Sequence, residues 1–251
     1  MNIFRVSLRC VTLAATLACA VSIATAQTSE TGKFKSENKS VTFERFEPKT
    51  TGDHPGVIVV HGGGGPDGDW RKSGILEALT AANYLVFVPH YFDGPGGKWK
   101  RSDDPKQFLV YIRTLNDTMR AVAQQKGIAK AGVGFVGFSL GGYLVLGLAE
   151  EEKSHPPRVL VPQIKAVVEM YGGMPEFAAD RMTTMPPTLI LHGAKDTLVT
   201  VDQAHEAENV LKAKSVPYEI KIYPDQGHGF EGGAAEDANQ RTVEFLKKYL
   251  H

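Results

Sequence analysis

The sequence predicts an α/β protein, a mostly parallel central sheet with helices on both faces. Three observations carry this. Apolar strand-like runs alternate with helical patterns along most of the chain. Val57-Ile58-Val59-Val60 is a continuous β-branched run, the pattern of a strand buried on both faces. Finally, Gly137-Phe138-Ser139-Leu140-Gly141-Gly142 joins an apolar run, Val133 to Phe138, directly to a helical one, Tyr143 to Glu150.

Taken in order, residues 27 to 40 are polar and read as a loose N-terminal arm ahead of a single domain over 41 to 251. Val41 to Glu47 alternates in polarity and suits an edge strand. After the Val57 strand come a helical pattern, Arg71 to Asn83, and a strand, Leu85 to Tyr91. Asp103-Asp104-Pro105 opens a long helix reaching about Gln125, proline being tolerated in a first turn. The Ser139 strand and helix follow. Strands are expected at Ala166 to Tyr171, Thr188 to Leu191 and Tyr218 to Tyr223, and helices at Asp202 to Lys212 and Ala235 to Tyr249. The interval from Gly172 to Pro187 is too short for a cap domain.

The first 26 residues stand apart. Arg5 and Arg9 precede an apolar run from Cys10 to Ile23, and Ala24-Thr25-Ala26 supplies a small-x-small cleavage site, so a secretory signal peptide is expected. The run is short for a membrane anchor. Thr16 stands where a lipoprotein signal has a large aliphatic, which argues against lipid attachment at Cys19. Cleavage after Ala26 would remove both cysteines, Cys10 and Cys19, and with them any disulfide, thiol nucleophile or thiolate metal site. A secreted or periplasmic location follows as an expectation.

Of the 251 residues, 42% are hydrophobic and 22% charged, enough for a sizeable core. With 28 basic and 28 acidic residues and no basic stripe, nucleic acid is not an expected partner. Neither metal-ligand spacing nor a phosphate-binding glycine loop occurs, so no metal or cofactor is expected.

In sheets of this kind, sites form beyond the carboxyl ends of the strands. Ser139, His61 with glycines 62 to 65, Asp196 and His228 all fall there. The G-x-S-x-G turn raises a serine hydroxyl out of the backbone. That hydroxyl is a poor nucleophile until a base removes its proton. His228, between glycines after the last strand, suits the base, because imidazole changes charge near neutral pH. Asp196 suits the group that orients it, since Ser…Asp…His is the chain order for such turns. Glu169 and Asp225 are weaker alternatives: Glu169 lies within its strand, and Asp225 is too near His228 in sequence. Backbone N–H groups of Gly63 and Leu140 are the expected donors to an oxyanion. His61 is expected to be structural. Tyr171 is a candidate pocket residue, and Lys98 and Arg101 could meet an anionic substrate but more readily belong to a solvated loop.

The segments V-I-V-V-H-G-G-G-G, V-P-H-Y-F-D, G-F-S-L-G-G, L-H-G-A-K-D and D-Q-G-H-G-F together resemble the dienelactone hydrolase family, of α/β-hydrolase fold, across the chain beyond its first 26 residues. The resemblance implies carboxylic-ester or lactone hydrolysis through an acyl-enzyme, without a cofactor, on a small-molecule substrate. A peptidase-like member of the fold, or a silent binding module, are the rival readings. The chain departs from the founding pattern, which has cysteine in place of Ser139, glutamate in place of Gly62 and an arginine near the catalytic histidine. Here Glu231, Gly232 and Gly233 stand in that last place. Met174, Phe177, Met182 and Met185 are expected to offer an adaptable apolar surface beside the site.

Overall fold

The computed structural model describes residues 29–100, 105–154 and 163–250. The expected signal peptide and Arg101 lie outside them. Eight strands form one sheet. They are β1 (Ser29–Ser36), β2 (Lys39–Phe46), β3 (His54–Val60), β4 (Leu85–Pro89), β5 (Ile128–Phe138), β6 (Ile164–Met170), β7 (Thr188–Gly193) and β8 (Tyr218–Tyr223). Their order is β1-β2-β4-β3-β5-β6-β7-β8. β1, β2 and β4 pair antiparallel, and every pair from β4 to β8 is parallel.

The helices are α1 (Ile75–Ala81), α2 (Pro105–Val122), α3 (Leu140–Ser154), α4 (Glu176–Arg181), α5 (Asp202–Ala213) and α6 (Gly233–Tyr249). Helices α2, α3 and α5 cover one face over a core that includes Ile58, Phe135, Val167 and Ile190. α1 and α6 cover the other, over Val57, Val136, Val168 and Leu191. Successive strand residues thus feed opposite cores, and the central strands must be apolar throughout.

Two expectations are corrected. Residues 29–40 are not a loose arm, since β1 pairs with β2 from Ser29↔Phe46 to Ser36↔Lys39; residues 27 and 28 lie outside the described residues. β2 is therefore an interior strand. Gly32 makes this possible, because a Cβ there would lie 2.3 Å from the Phe43 ring. The helix expected from Arg71 is broken at Gly74, where a left-handed glycine (φ 75°) separates a short 3-10 helix, Asp69–Ser73, from α1. Between Gly172 and Pro187 lies only the short α4.

Candidate active site

Ser139 follows β5 with φ 54°, the left-handed region that costs an L-residue about 1–2 kcal/mol. The surroundings hold it there. Its N–H donates to Met170 O at 2.9 Å, and its carbonyl accepts from Gly142 N–H at 2.8 Å and Tyr143 N–H at 3.2 Å. The turn also demands small neighbours. A Cβ on Gly141 would sit 2.2 Å from Val60 O, and one on Gly137 would sit 2.3 Å from Gly141 O. Strand β5, helix α3 and strand β3 therefore meet backbone to backbone.

His228 lies on the loop after β8 and Asp196 on the loop after β7. A Cβ on Gly193 would fall 2.4 Å from Gln226 O and from Gly227 O, so only glycine lets the two loops dock. Ala194 N–H to Tyr223 O and Lys195 N–H to Gln226 O, both 2.9 Å, fix their register. His228 Nδ1 is then 2.7 Å from Asp196 Oδ2, and His228 Nε2 is 2.9 Å from Ser139 Oγ. Asp196 is buried, and its Oδ1 accepts Leu198 N–H at 2.8 Å and Val199 N–H at 2.9 Å. An acceptor-only carboxylate against Nδ1 puts the proton on Nδ1 and leaves Nε2 free to accept from the serine. Ser139, His228 and Asp196 are thus brought into one hydrogen-bonded chain.

Gly63 and Leu140 both line the cleft above Ser139. Leu140 is the first residue of α3, so its N–H has no intrahelical acceptor and points along the positive end of the helix dipole. Tyr171 follows β6 with φ 43°. Its ring lies 5.0 Å from the His228 ring, edge to face, and 5.2 Å from Phe230, so it backs the imidazole.

The other candidates fall elsewhere. Asp225 is exposed and paired with Lys195 at 2.7 Å. Glu169 is fully buried beneath α3. It accepts Gly172 N–H, makes no bond to His228, and burial pushes its carboxyl up to about 8. Lys98 is exposed and is not among the residues lining the cleft. His61 is buried, stacked on Tyr91 at 4.1 Å, with Nδ1 2.8 Å from Gly62 O. Burial drives its pKa down to about 3, so it stays neutral and holds the glycine loop. Of the apolar quartet, only Phe177 lines the cleft; Met174, Met182 and Met185 are buried in the core, where a flexible side chain fills irregular space.

Two contributors are not evident from the sequence. His192 Nε2 donates to Val199 O at 2.9 Å, which stabilises the turn that presents N–H groups to Asp196. Trp99 lies against Gly63, with Cδ1 only 3.0 Å from where a Cβ would be. A lone tryptophan after the glycine-rich stretch from residue 94 to residue 97 was its only signal. The cleft spans about 1590 Å³, beyond the ~300–1,000 Å³ of most small-ligand sites.

The strand order, the left-handed serine at the end of β5 and the sites on the β7 and β8 loops define an α/β-hydrolase. Comparison with known proteins narrows the class: residues 44–250 match the dienelactone hydrolase family, and the chain belongs to that family. Curated relatives include a carboxymethylenebutenolidase homolog of Xenopus tropicalis, 28% identical over 184 residues, covering 69% of this chain and 70% of that one. The carboxymethylenebutenolidase of Rhodococcus opacus is 28% identical over 203 residues, covering 70% and 75%. Among solved structures, a dienelactone hydrolase from Anabaena variabilis superposes with TM-score 0.68 at 17% identity, over 90% of this chain and 99% of that one. The same fold appears in an acylaminoacyl peptidase of Pyrococcus horikoshii, with TM-score 0.70 and 17% identity, over 90% of this chain and 42% of that one.

Proposed function

We propose that this member of the family is a serine hydrolase of carboxylic esters or lactones, acting through an acyl-enzyme. The single observation that carries the reading is the chain Ser139 Oγ to His228 Nε2, 2.9 Å, and His228 Nδ1 to Asp196 Oδ2, 2.7 Å. In the proposed mechanism, Nε2 takes the hydroxyl proton as Oγ attacks the carbonyl carbon. The oxyanion is held by the N–H groups of Gly63 and Leu140. Nε2 then gives the proton to the departing alcohol oxygen, and Asp196 stabilises the transient imidazolium. A water molecule, deprotonated by the same nitrogen, releases the acid and restores the serine. No step calls on a metal or cofactor.

Relatives named carboxymethylenebutenolidase support the ester and lactone class. This chain has Ser139 as its candidate nucleophile and no arginine from residue 229 to residue 233, so the carboxylate-bearing lactone of those names is not the substrate we favour. The test is Ser139→Ala together with an organophosphonate label. The variant should lose about 10⁴-fold or more in ester turnover while remaining folded, and mass spectrometry should place the adduct on Ser139. An adduct elsewhere, or an active variant, would remove the assignment.

We also propose export, with the mature chain beginning at Gln27. The positive start, the short apolar run and Ala24-Thr25-Ala26 support it. N-terminal sequencing of the natively produced protein decides it, and a retained Met1 would sink it.

A further inference from the structure

The N–H of Gly63 and the carbonyl of Gly62 belong to one peptide unit, and in a trans peptide the two point in opposite directions. Whatever grips Gly62 O therefore aims Gly63 N–H. Two donors grip it. His61 Nδ1 donates at 2.8 Å, since a carbonyl can only accept, and Gly65 N–H donates at 3.1 Å. The unit also lies against the nucleophile: a Cβ on Gly62 would stand 3.2 Å from Ser139 Cβ. The direction of this donor is thus set by the turn from Gly62 to Gly65, and the turn needs an anchor at its far end.

The anchor is the short 3-10 helix Asp69–Ser73. Trp70 Nε1 donates to Gly65 O at 3.2 Å, and Gly68 N–H donates to the same carbonyl at 3.1 Å. Arg71 Nε donates to Pro66 O at 2.6 Å, while its Nη2 donates to Glu44 Oε1 on β2. His90 Nε2, just after β4, donates to the same Glu44 oxygen at 2.8 Å. The guanidinium lies over the Trp70 ring, 4.8 Å from its centroid. A guanidinium is a rigid plane, so the nitrogen on Glu44 fixes where the nitrogen on Pro66 sits. The side chains of Arg71 and Glu44 are only 26% and 14% exposed, so solvent and salt screen the pair weakly. The glycine turn is therefore tied to two interior strands of the sheet. Glu44, Arg71 and His90 are not among the residues lining the cleft.

We infer that Arg71, clamped by Glu44, is a positioning residue for the oxyanion hole. By holding Pro66 O it keeps the glycine turn in place, and with it the aim of Gly63 N–H beside Ser139. This rests on the serine-hydrolase reading above and adds the residues that set one of its two oxyanion donors.

The test measures kcat and KM on a nitrophenyl ester with the full-length protein, per serine titrated by the phosphonate, so that unfolded protein does not count. Arg71→Met keeps an unbranched stem over Trp70 and loses both donors. Removing an oxyanion donor outright costs about 10²–10³ in kcat, and a misplacement of ~1 Å can cost ~10², so kcat should fall by about 10- to 100-fold. KM should change by less than about threefold, because Arg71 does not meet the substrate. Affinity for a trifluoromethyl ketone, whose adduct with Ser139 puts an oxyanion in the hole, should weaken by the same factor as kcat. Arg71→Lys keeps the ion pair with Glu44 but has one nitrogen where two are used. It should melt near the natural protein and still lose kcat severalfold. A merely structural role would lower the melting temperature and the fraction of titratable serine, and leave kcat per serine unmoved. That result, or a loss carried by KM, overturns the inference. Should Arg71→Met not fold, Arg71→Lys decides by the same criteria. If the natural protein takes no label at Ser139, the serine-hydrolase reading itself falls; if it does and the variants keep their kcat, only this inference falls.

Discussion

Replacing Glu169 by glutamine isolates the energetic effect of one buried carboxyl. Glu169 is fully buried beneath the Ser139 turn, and Oε2 has no hydrogen-bond partner. Its Oε1 accepts Gly172 N–H, which lowers the pKa, but desolvation dominates and raises it from 4.5 to about 8. The sign follows from linkage. Below pH 4.5 the carboxyl is protonated in both the folded and the unfolded chain. As pH rises from 4.5 through 8, only the unfolded chain releases its proton, so the folded state loses relative stability; above about 8 the loss is complete. Between pH 5 and pH 8 the difference amounts to about 3 kcal/mol, from 1.36 kcal/mol for each unit of pH over most of that interval. Glu169→Gln does not titrate. Whatever constant offset its amide introduces, its stability should decline between pH 5 and pH 8 by about 3 kcal/mol less than that of the natural protein. His61 and His192, both held below the usual imidazole range by burial, contribute equally to both proteins and cancel. Urea unfolding of both proteins at pH 5, 6, 7 and 8 measures it. Stability curves that run parallel across this range would refute the reasoning.

Three further outcomes are expected. Asp196→Asn keeps the geometry but can donate to Nδ1 and favour the wrong tautomer, so ester kcat should fall by about 10⁴-fold with little change in thermal stability; a loss below tenfold would exclude its proposed role. Gly141→Ala places a methyl 2.2 Å from the Val60 carbonyl, a clash between backbones that no rotamer relieves, and should lower both stability and activity. Normal melting and turnover would contradict the close approach of α3 to β3. In a nitrophenyl ester series, kcat/KM should be high for short acyl chains and poor for long ones, without activation at an oil–water interface. A steady rise to palmitate would mean a deep acyl channel.

The elements that carry the site were legible because their constraints are written as residue types at fixed spacing. Gly137 and Gly141 flank Ser139 because backbone fills the space where their side chains would be. The β-branched run in β3 announces its double burial. β1 was not legible: Ser-Glu-Thr-Gly-Lys-Phe-Lys-Ser has no apolar alternation beyond Phe34, and it is a strand because β2 offers an edge and Phe43 needs the space above Gly32. The three buried methionines illustrate the complementary failure. Apolar residues in a loop-like interval read equally as pocket or core, and only the packing of α4 decides. Trp99 and His192 act through contacts with Gly63 and Val199, distant in sequence from Trp99 and close to His192, and neither contact has a local pattern.

The short connection between β6 and β7 has a consequence for the fate of an acyl-enzyme. With only the six-residue α4 there, that connection supplies no lid over the ester that the proposed mechanism forms at Ser139. On the proposed mechanism, bulk water reaches that ester at its full concentration, while any competing acceptor must diffuse in against it. The protein should accordingly be a poor acyltransferase. Added alcohols should divert the acyl group only in proportion to their concentration relative to water, and product ratios in aqueous alcohol mixtures would reveal any acceptor subsite that breaks that proportion.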